Sequence, residues 1–275
     1  MKVVIDTGPV LVLHIPAYNT TAPQPFHTLP PLVPDCVNLT DITKMGAPLY
    51  FVVARVVSRE GALEKWRDRL AGLCKVSKTE PYSNSYYWGH DLDGEPDTLW
   101  GLEGYYHPVG FFMNHVSSDI FKEEMRKVDE DKLLRTVQGI GSPDYDLHHY
   151  DFFSGFLTRK DDQDRDAQDS FVTVVHFWAS EGRRKQLLGI LADSADKIKS
   201  AEMVQSFAVL KEVNDFHLAT IYIRSRSQEA WERFETSEIY RDLVADAKPI
   251  TTKTETHRSQ AFIGHIDQDA PSGNP

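Results

Sequence analysis

Cysteine is nearly absent from this sequence: Cys36 and Cys74 are the only two in 275 residues. A disulfide framework is therefore excluded for a chain of this length, and neither cysteine has histidines at ligand spacing for a zinc site. Both are expected to be reduced, packed thiols. Clustered basic charge is missing as well. There are 30 lysines and arginines against 41 aspartates and glutamates, a formal net charge of −11, and no basic run to hold a phosphate backbone, so no nucleic-acid partner is expected. No apolar stretch reaches the ~18 residues of a membrane span. The apolar positions near the N-terminus are interrupted by Asp6, Gly8-Pro9 and His14, with no small-residue cleavage site after them, which predicts a cytoplasmic protein. Walker, dinucleotide and Gly-x-Ser-x-Gly motifs are absent too.

What is present is an ordinary globular composition, 41% hydrophobic and 26% charged, in an uneven arrangement. Residues 1–48 hold eight of the 15 prolines. Such a stretch cannot be helical and reads as an extended arm with one short strand at Val10–Ile15. A polar run at 160–169 reads as a solvated linker, and 268–275 as a tail. Two domains of similar length remain, 49–159 and 170–267.

These domains share one pattern. Leu49–Val57 and Phe171–Trp178 are apolar, β-branched runs, followed by Glu60-Gly61 and Glu181-Gly182. Each Glu-Gly opens an amphipathic helix, Ala62–Lys75 and Arg183–Lys197. Hairpins follow, Ser83–His90 with Thr98–Tyr105, and Val204–Lys211 with His217–Arg224. A second helix then ends in matching text, Ser118-Asp119-Ile120-Phe121 and Ser237-Glu238-Ile239-Tyr240. Closing strands are expected at Leu147–Thr158 and Gln260–Ile266. The order β-α-β-β-α-β, written twice, predicts an α+β fold of two ferredoxin-like (split βαβ) repeats whose sheets close into one barrel.

With Arg59-Glu60-Gly61, Glu80-Pro81, Glu103-Gly104-Tyr105, His115 and Ser118-Asp119-Ile120-Phe121 in place, each repeat resembles the antibiotic biosynthesis monooxygenase family, which adopts the dimeric α+β barrel. The resemblance covers about 210 residues and omits the N-terminal arm. It implies oxidation of a small hydrophobic or aromatic, polyketide-like or lipid-derived metabolite by molecular oxygen, with no bound cofactor and no metal. The chain departs from that family where quinone-forming members carry Asn and Trp on the third strand. The corresponding positions are Gly101 and Tyr105 in the first repeat and Ile221 and Ser225 in the second. The second repeat, with Phe234 in place of His115, therefore reads as a degenerate half that closes the barrel.

Strand alternation puts Leu99, Gly101, Glu103 and Tyr105 on one face, which the resemblance makes the cavity side. Glu103 and His115 are the candidate proton acceptors, with Tyr105 to stabilise a developing anion. A substrate wall is expected from Tyr86, Tyr87, Trp88 and Trp100, with Gly101 leaving room for a flat ligand. Phe111 and Phe112 continue it on the helix of His115. Two other readings stand beside this one: a non-catalytic binding or assembly protein, and a cyclase or isomerase using the Glu/His pair. His149-Tyr150-Asp151, with His217 and Arg224, offers an iron-site spacing, but four amphipathic helices do not fit a jelly-roll oxygenase. Whether the chain pairs again as a homo-oligomer is open at this stage.

Overall fold

The computed structural model describes residues 49–268, apart from 96, 161, 163, 164 and 167. The proline-rich arm, its expected strand at Val10–Ile15, Cys36 and most of the expected tail lie outside the described residues.

Eight strands form a closed antiparallel barrel in the order β1-β3-β2-β8-β5-β7-β6-β4. The first repeat supplies β1 (Tyr50–Val56), α1 (Leu63–Ser77), β2 (Ser83–Asp91), β3 (Leu99–Tyr105), a π-helical turn (Gly110–His115), α2 (Asp119–Glu130) and β4 (Tyr145–Phe156). The second supplies β5 (Phe171–Ala179), α3 (Arg184–Ile198), β6 (Val204–Glu212), β7 (Leu218–Ser225), α4 (Gln228–Glu235), α5 (Glu238–Ala247) and β8 (Thr251–His265). Each half has the same internal strand order, and the halves are joined where β2 pairs β8 and β4 pairs β6. No helix among the described residues is long and apolar enough to cross a membrane.

The equivalence of the repeats extends to single residues. Gly61 and Gly182 both have positive φ, +75° and +71°, a conformation glycine adopts without steric cost. Tyr50 pairs with Tyr105 as Phe171 pairs with Ser225. The matching Ser-x-Ile-aromatic text, expected to end a helix, begins one instead. Ser118 and Ser237 are N-caps whose hydroxyls accept from the Phe121 and Tyr240 N–H groups, satisfying donors that an α-helix start leaves free.

Alternation along each strand divides the core in three. Odd residues of the second half, among them Phe177, Phe207 and Ile221, pack under α3, α4 and α5. Ala54, Trp88 and Leu99 pack under α1 and α2, together with the buried thiol of Cys74. The opposite faces, including Phe51, Leu102, Val174 and Leu210, fill the barrel lumen. A lumen void of about 10 Å³ remains beside Tyr87 and Tyr222, room for roughly one water.

Both ends of the lumen are polar. At one, Arg224 forms a fully buried ion pair with Asp162, so the 160–169 segment is not simply solvated: it sends a carboxylate into the barrel. At the other, His176 Nδ1 lies 2.8 Å from Thr220 Oγ1 and 3.4 Å from Tyr150 Oη. Burial pushes His176 down to about 3, with His148, His257 and Lys253 adding repulsion. A histidine depressed in the folded state contributes stability above its unfolded pKa near 6.5 and loses it as pH falls towards 3. Lowering the pH from 7 to 4.5 should therefore destabilise the protein more than its His176→Gln variant, by about 2 kcal/mol. Parallel melting curves of the two proteins across this range would show the prediction to be wrong.

Candidate functional site

The first half carries a buried polar cluster between its sheet and its helices. Alternation on β3 sends Glu103 and Tyr105 into this layer, and on β2 it sends Tyr86 there. His115 comes from the π-helical turn. The wider π-helical spacing brings His115 under the same side as Phe111 and turns Phe112 outward, where it is 41% exposed. The expectation that Phe111 and Phe112 continue one wall on the helix of His115 assumed an α-helical period, and Phe112 leaves that wall. Such turns often occur at functional sites.

Tyr105 donates to Glu103 Oε2 at 3.0 Å. His115 Nε2 lies 3.9 Å from the same oxygen, and His115 Nδ1 lies 3.0 and 3.2 Å from the two carboxylate oxygens of Glu80. The His115 and Tyr86 rings are 5.7 Å apart. His115 and Tyr105 are each 1% exposed, and Glu103 is 6% exposed. Burial raises the Glu103 pKa, against the opposing effects of His115 and the Tyr105 hydrogen bond. Burial pushes His115 down, but Glu103 and Glu80 outweigh it and leave the imidazole above its usual value. Burial, with Glu103 nearby, holds the Tyr105 hydroxyl well above 10, so it stays a donor. The cluster sets one imidazole between two carboxylates, with a phenol hydrogen-bonded to one of them, an arrangement chemically able to take up a proton.

The structure does not join the whole expected aromatic wall. Trp88 and Gly101 lie in this layer and Phe111 packs edge-on to Tyr105 at 5.7 Å, but Tyr87 and Trp100 face the lumen. Consecutive strand residues point to opposite faces, so Tyr86-Tyr87-Trp88 cannot line one cavity. Gly101 makes space for a protein side chain, not for a ligand: a Cβ there would come within 2.5 Å of the Trp88 indole. Phe112 stacks on His149 at 5.9 Å at the rim, beside Tyr50, which is hydrogen-bonded to His149. Asp151 pairs with Lys211 at 2.9 Å. Among the described residues, no group of three His, Cys, Asp or Glu side chains is arranged to hold a metal ion.

An open space lies away from this polar layer. A space of about 410 Å³ lies between the turn after β2, at Leu92 and Asp93, and α4 of the second half, at Gln228, Trp231 and Glu235, with Arg258 of β8. Strand register makes its Phe171 and Arg258 the counterparts of Tyr50 and His149. The rim that is open in the second half is thus filled in the first by Tyr50, Phe112 and His149.

Glu80 was missed by sequence reasoning as a site residue, although the Glu80-Pro81 turn carried the signal. Its counterpart is Ala201, since Ser83 N–H donates to Glu80 O as Val204 N–H does to Ala201 O. The remaining counterparts are Phe207 for Tyr86, Ile223 for Glu103, Ser225 for Tyr105 and Phe234 for His115. The second half builds the same layer with both carboxylates and the imidazole replaced by apolar groups.

No protein-family model and no curated protein sequence matches this chain. Solved structures do. A candidate monooxygenase from Fusobacterium nucleatum superposes with a TM-score of 0.67 at 9% identity, covering 81% of this chain and 96% of its own. One from Lactobacillus acidophilus gives 0.65 at 8%, covering 80% and 97%. An anthrone oxidase-like protein gives 0.56 at 12%, covering 83% and 97%. At such identities the likeness is one of fold: an α+β chain closed into an antiparallel eight-stranded barrel.

Proposed function

We propose that the chain is a cytoplasmic monooxygenase that removes a proton from a phenolic or enolic aromatic metabolite and lets the resulting anion react with molecular oxygen. One observation carries this reading. The first half buries Glu103, Tyr105 and His115, with the half-buried Glu80 against His115, in a layer that the second half fills with Ala201, Ile223, Ser225 and Phe234. A fold that can be completed with apolar groups does not need buried carboxylates, whose desolvation is costly. Their presence in one half only is what a chemical role would require.

Glu103 or His115 accepts the substrate proton, and the electron pair stays on the substrate. The anion passes one electron to oxygen, radical and superoxide recombine to a peroxide anion, the protonated base returns its proton to make the hydroperoxide, and loss of water, with the hydrogen left on that carbon, leaves a carbonyl. The substrate supplies the electrons, so no metal or flavin is required by this balance. Tyr105 holds Glu103 in place, while Phe111 and Trp88 keep water out. The way in is the rim at Phe112, Tyr50 and His149, so the exposed Phe112 ring has to leave its stack on His149 to admit a planar ligand. The deprotonation step alone also serves a cyclase or isomerase, and oxygen uptake separates the two.

The test is oxygen consumption with a panel of anthrones, naphthols and related phenols. Glu103→Gln and His115→Ala should each lower turnover on the order of 10²-fold, with folding checked by melting. Near-normal rates in both variants would remove the cluster from the mechanism, and product formation without oxygen uptake would replace oxidation by isomerisation.

A further inference from the structure

The Glu80–His115 contact has a consequence for which nitrogen of the imidazole is free. An ionised carboxylate can only accept hydrogen bonds. Both oxygens of Glu80 approach the same ring nitrogen, Nδ1, at 3.0 and 3.2 Å, so Nδ1 carries the proton. The other nitrogen, Nε2, is buried and has no hydrogen-bond partner. It lies 3.9 Å from Glu103 Oε2, too far for a hydrogen bond. A buried polar atom without a partner is uncommon and destabilising. Here it is held that way by the partner on the far side of the ring.

We propose that Glu80 is a positioning residue that fixes neutral His115 as its Nδ1–H tautomer, leaving the Nε2 lone pair aimed into the polar layer as the acceptor of the substrate proton. The catalytic part of this statement rests on the function proposed above; the tautomer does not. In the step itself the O–H or C–H bond of the substrate breaks, its electron pair remains on the substrate, and the proton forms a new N–H bond at Nε2. The imidazolium then stands between Glu80 at Nδ1 and Glu103 at Nε2, two carboxylates that stabilise its charge. This agrees with the balance at His115, where the two glutamates outweigh burial. The groups facing the ring are Glu80 from the turn after α1, Tyr86 from β2, Glu103 and Tyr105 from β3, and Phe121 from α2. None other than Glu80 reaches Nδ1 in a hydrogen bond. The second repeat supports the pairing: where His115 becomes Phe234, Glu80 becomes Ala201.

The experiment is long-range ¹H–¹⁵N spectroscopy of the histidine rings in the full chain between pH 6 and 9.5, with the His115 signals assigned by loss in His115→Gln. Neutral His115 in the unaltered protein is expected to show a protonated Nδ1 and a bare Nε2. Glu80→Ala should move the proton to Nε2, towards Glu103. Glu80→Gln keeps an acceptor oxygen and removes the charge; it should lower the His115 pKa by about one unit or more while the fold, read from the backbone amides, is unchanged. A resting Nε2–H tautomer in the unaltered protein would overturn the proposal, as would a tautomer and pKa that ignore both substitutions. The spectra need no substrate. A protein that shows the tautomer change and consumes no oxygen with any phenol keeps the role of Glu80 and loses the oxidation reading, and the opposite pair of results does the reverse.

Discussion

Replacing Asp162 with alanine should destabilise the protein by about 3–5 kcal/mol, the scale for removing one member of a buried ion pair. Asp162 and Arg224 have no exposed side-chain surface in their ion pair. Arg224 also meets the Ser206 hydroxyl at 3.0 Å and the Tyr87 ring at 5.6 Å, and the substitution takes the Asp162 carboxylate out of this set. Burial disfavours the guanidinium, while Tyr87 and Asp162 favour it, so the balance shifts towards burial once Asp162 is gone. For a domain of this size the melting temperature should fall by roughly 10 °C. Asp162→Asn should lie between, because it retains a hydrogen bond without the charge. The double variant Asp162→Leu/Arg224→Met should be less destabilised than Asp162→Ala alone, since it leaves no charge behind. A melting temperature within about 2 °C of the parent for Asp162→Ala would show that the pair is not dry in solution.

Gly155→Ala should be nearly as severe, at about 3 kcal/mol. Gly155 lies in the β4–β6 seam opposite Ala208, just past the register shift at Phe152/Ser154. Its φ is +108°, and an added Cβ would overlap the carbonyl oxygen of Phe207. Backbone strain in that region is worth about 1–3 kcal/mol, and here the neighbouring strand must also move. Gly61→Ala is the control: it too has positive φ but nothing within 4 Å, so it should cost only about 1–2 kcal/mol. Equal losses from the two substitutions, measured by thermal or denaturant unfolding, would mean that the seam can give way freely at Gly155.

The barrel was legible in the sequence because each repeat writes its strands and helices with distinct periods and marks the same turn with Glu-Gly. Boundaries came close where both faces of a strand are apolar, as at Tyr50–Val56 and Val204–Glu212. They failed on β8, expected at Gln260–Ile266 and observed at Thr251–His265. Its first half, Thr251 to Arg258, is polar throughout, and its place in the sheet comes from backbone pairing with β5. No hydrophobic pattern reports such a strand. In the candidate site, alternation put Glu103 and Tyr105 on one face, and the family resemblance was needed to say which side that face takes. The misplacement of Tyr87 and Trp100 came from grouping by composition what alternation separates. Glu80 was not legible as a partner of His115 because the two are 35 positions apart in the chain, and only the fold brings that turn to the π-helical segment. Asp162 was hidden for a related reason, since a polar run gives no sign of which carboxylate turns inward.

The two seams also determine what a cut chain would do. β2 and β4 of the first half find their outer partners only in β8 and β6 of the second. A break between residues 163 and 164 would leave each fragment with two open strand edges, and exposed edges recruit other strands. Expressed alone, each fragment should therefore self-associate or precipitate. Expressed together, they should find each other and rebuild the closed ring without a covalent joint, so the chain is a natural scaffold for split-protein complementation.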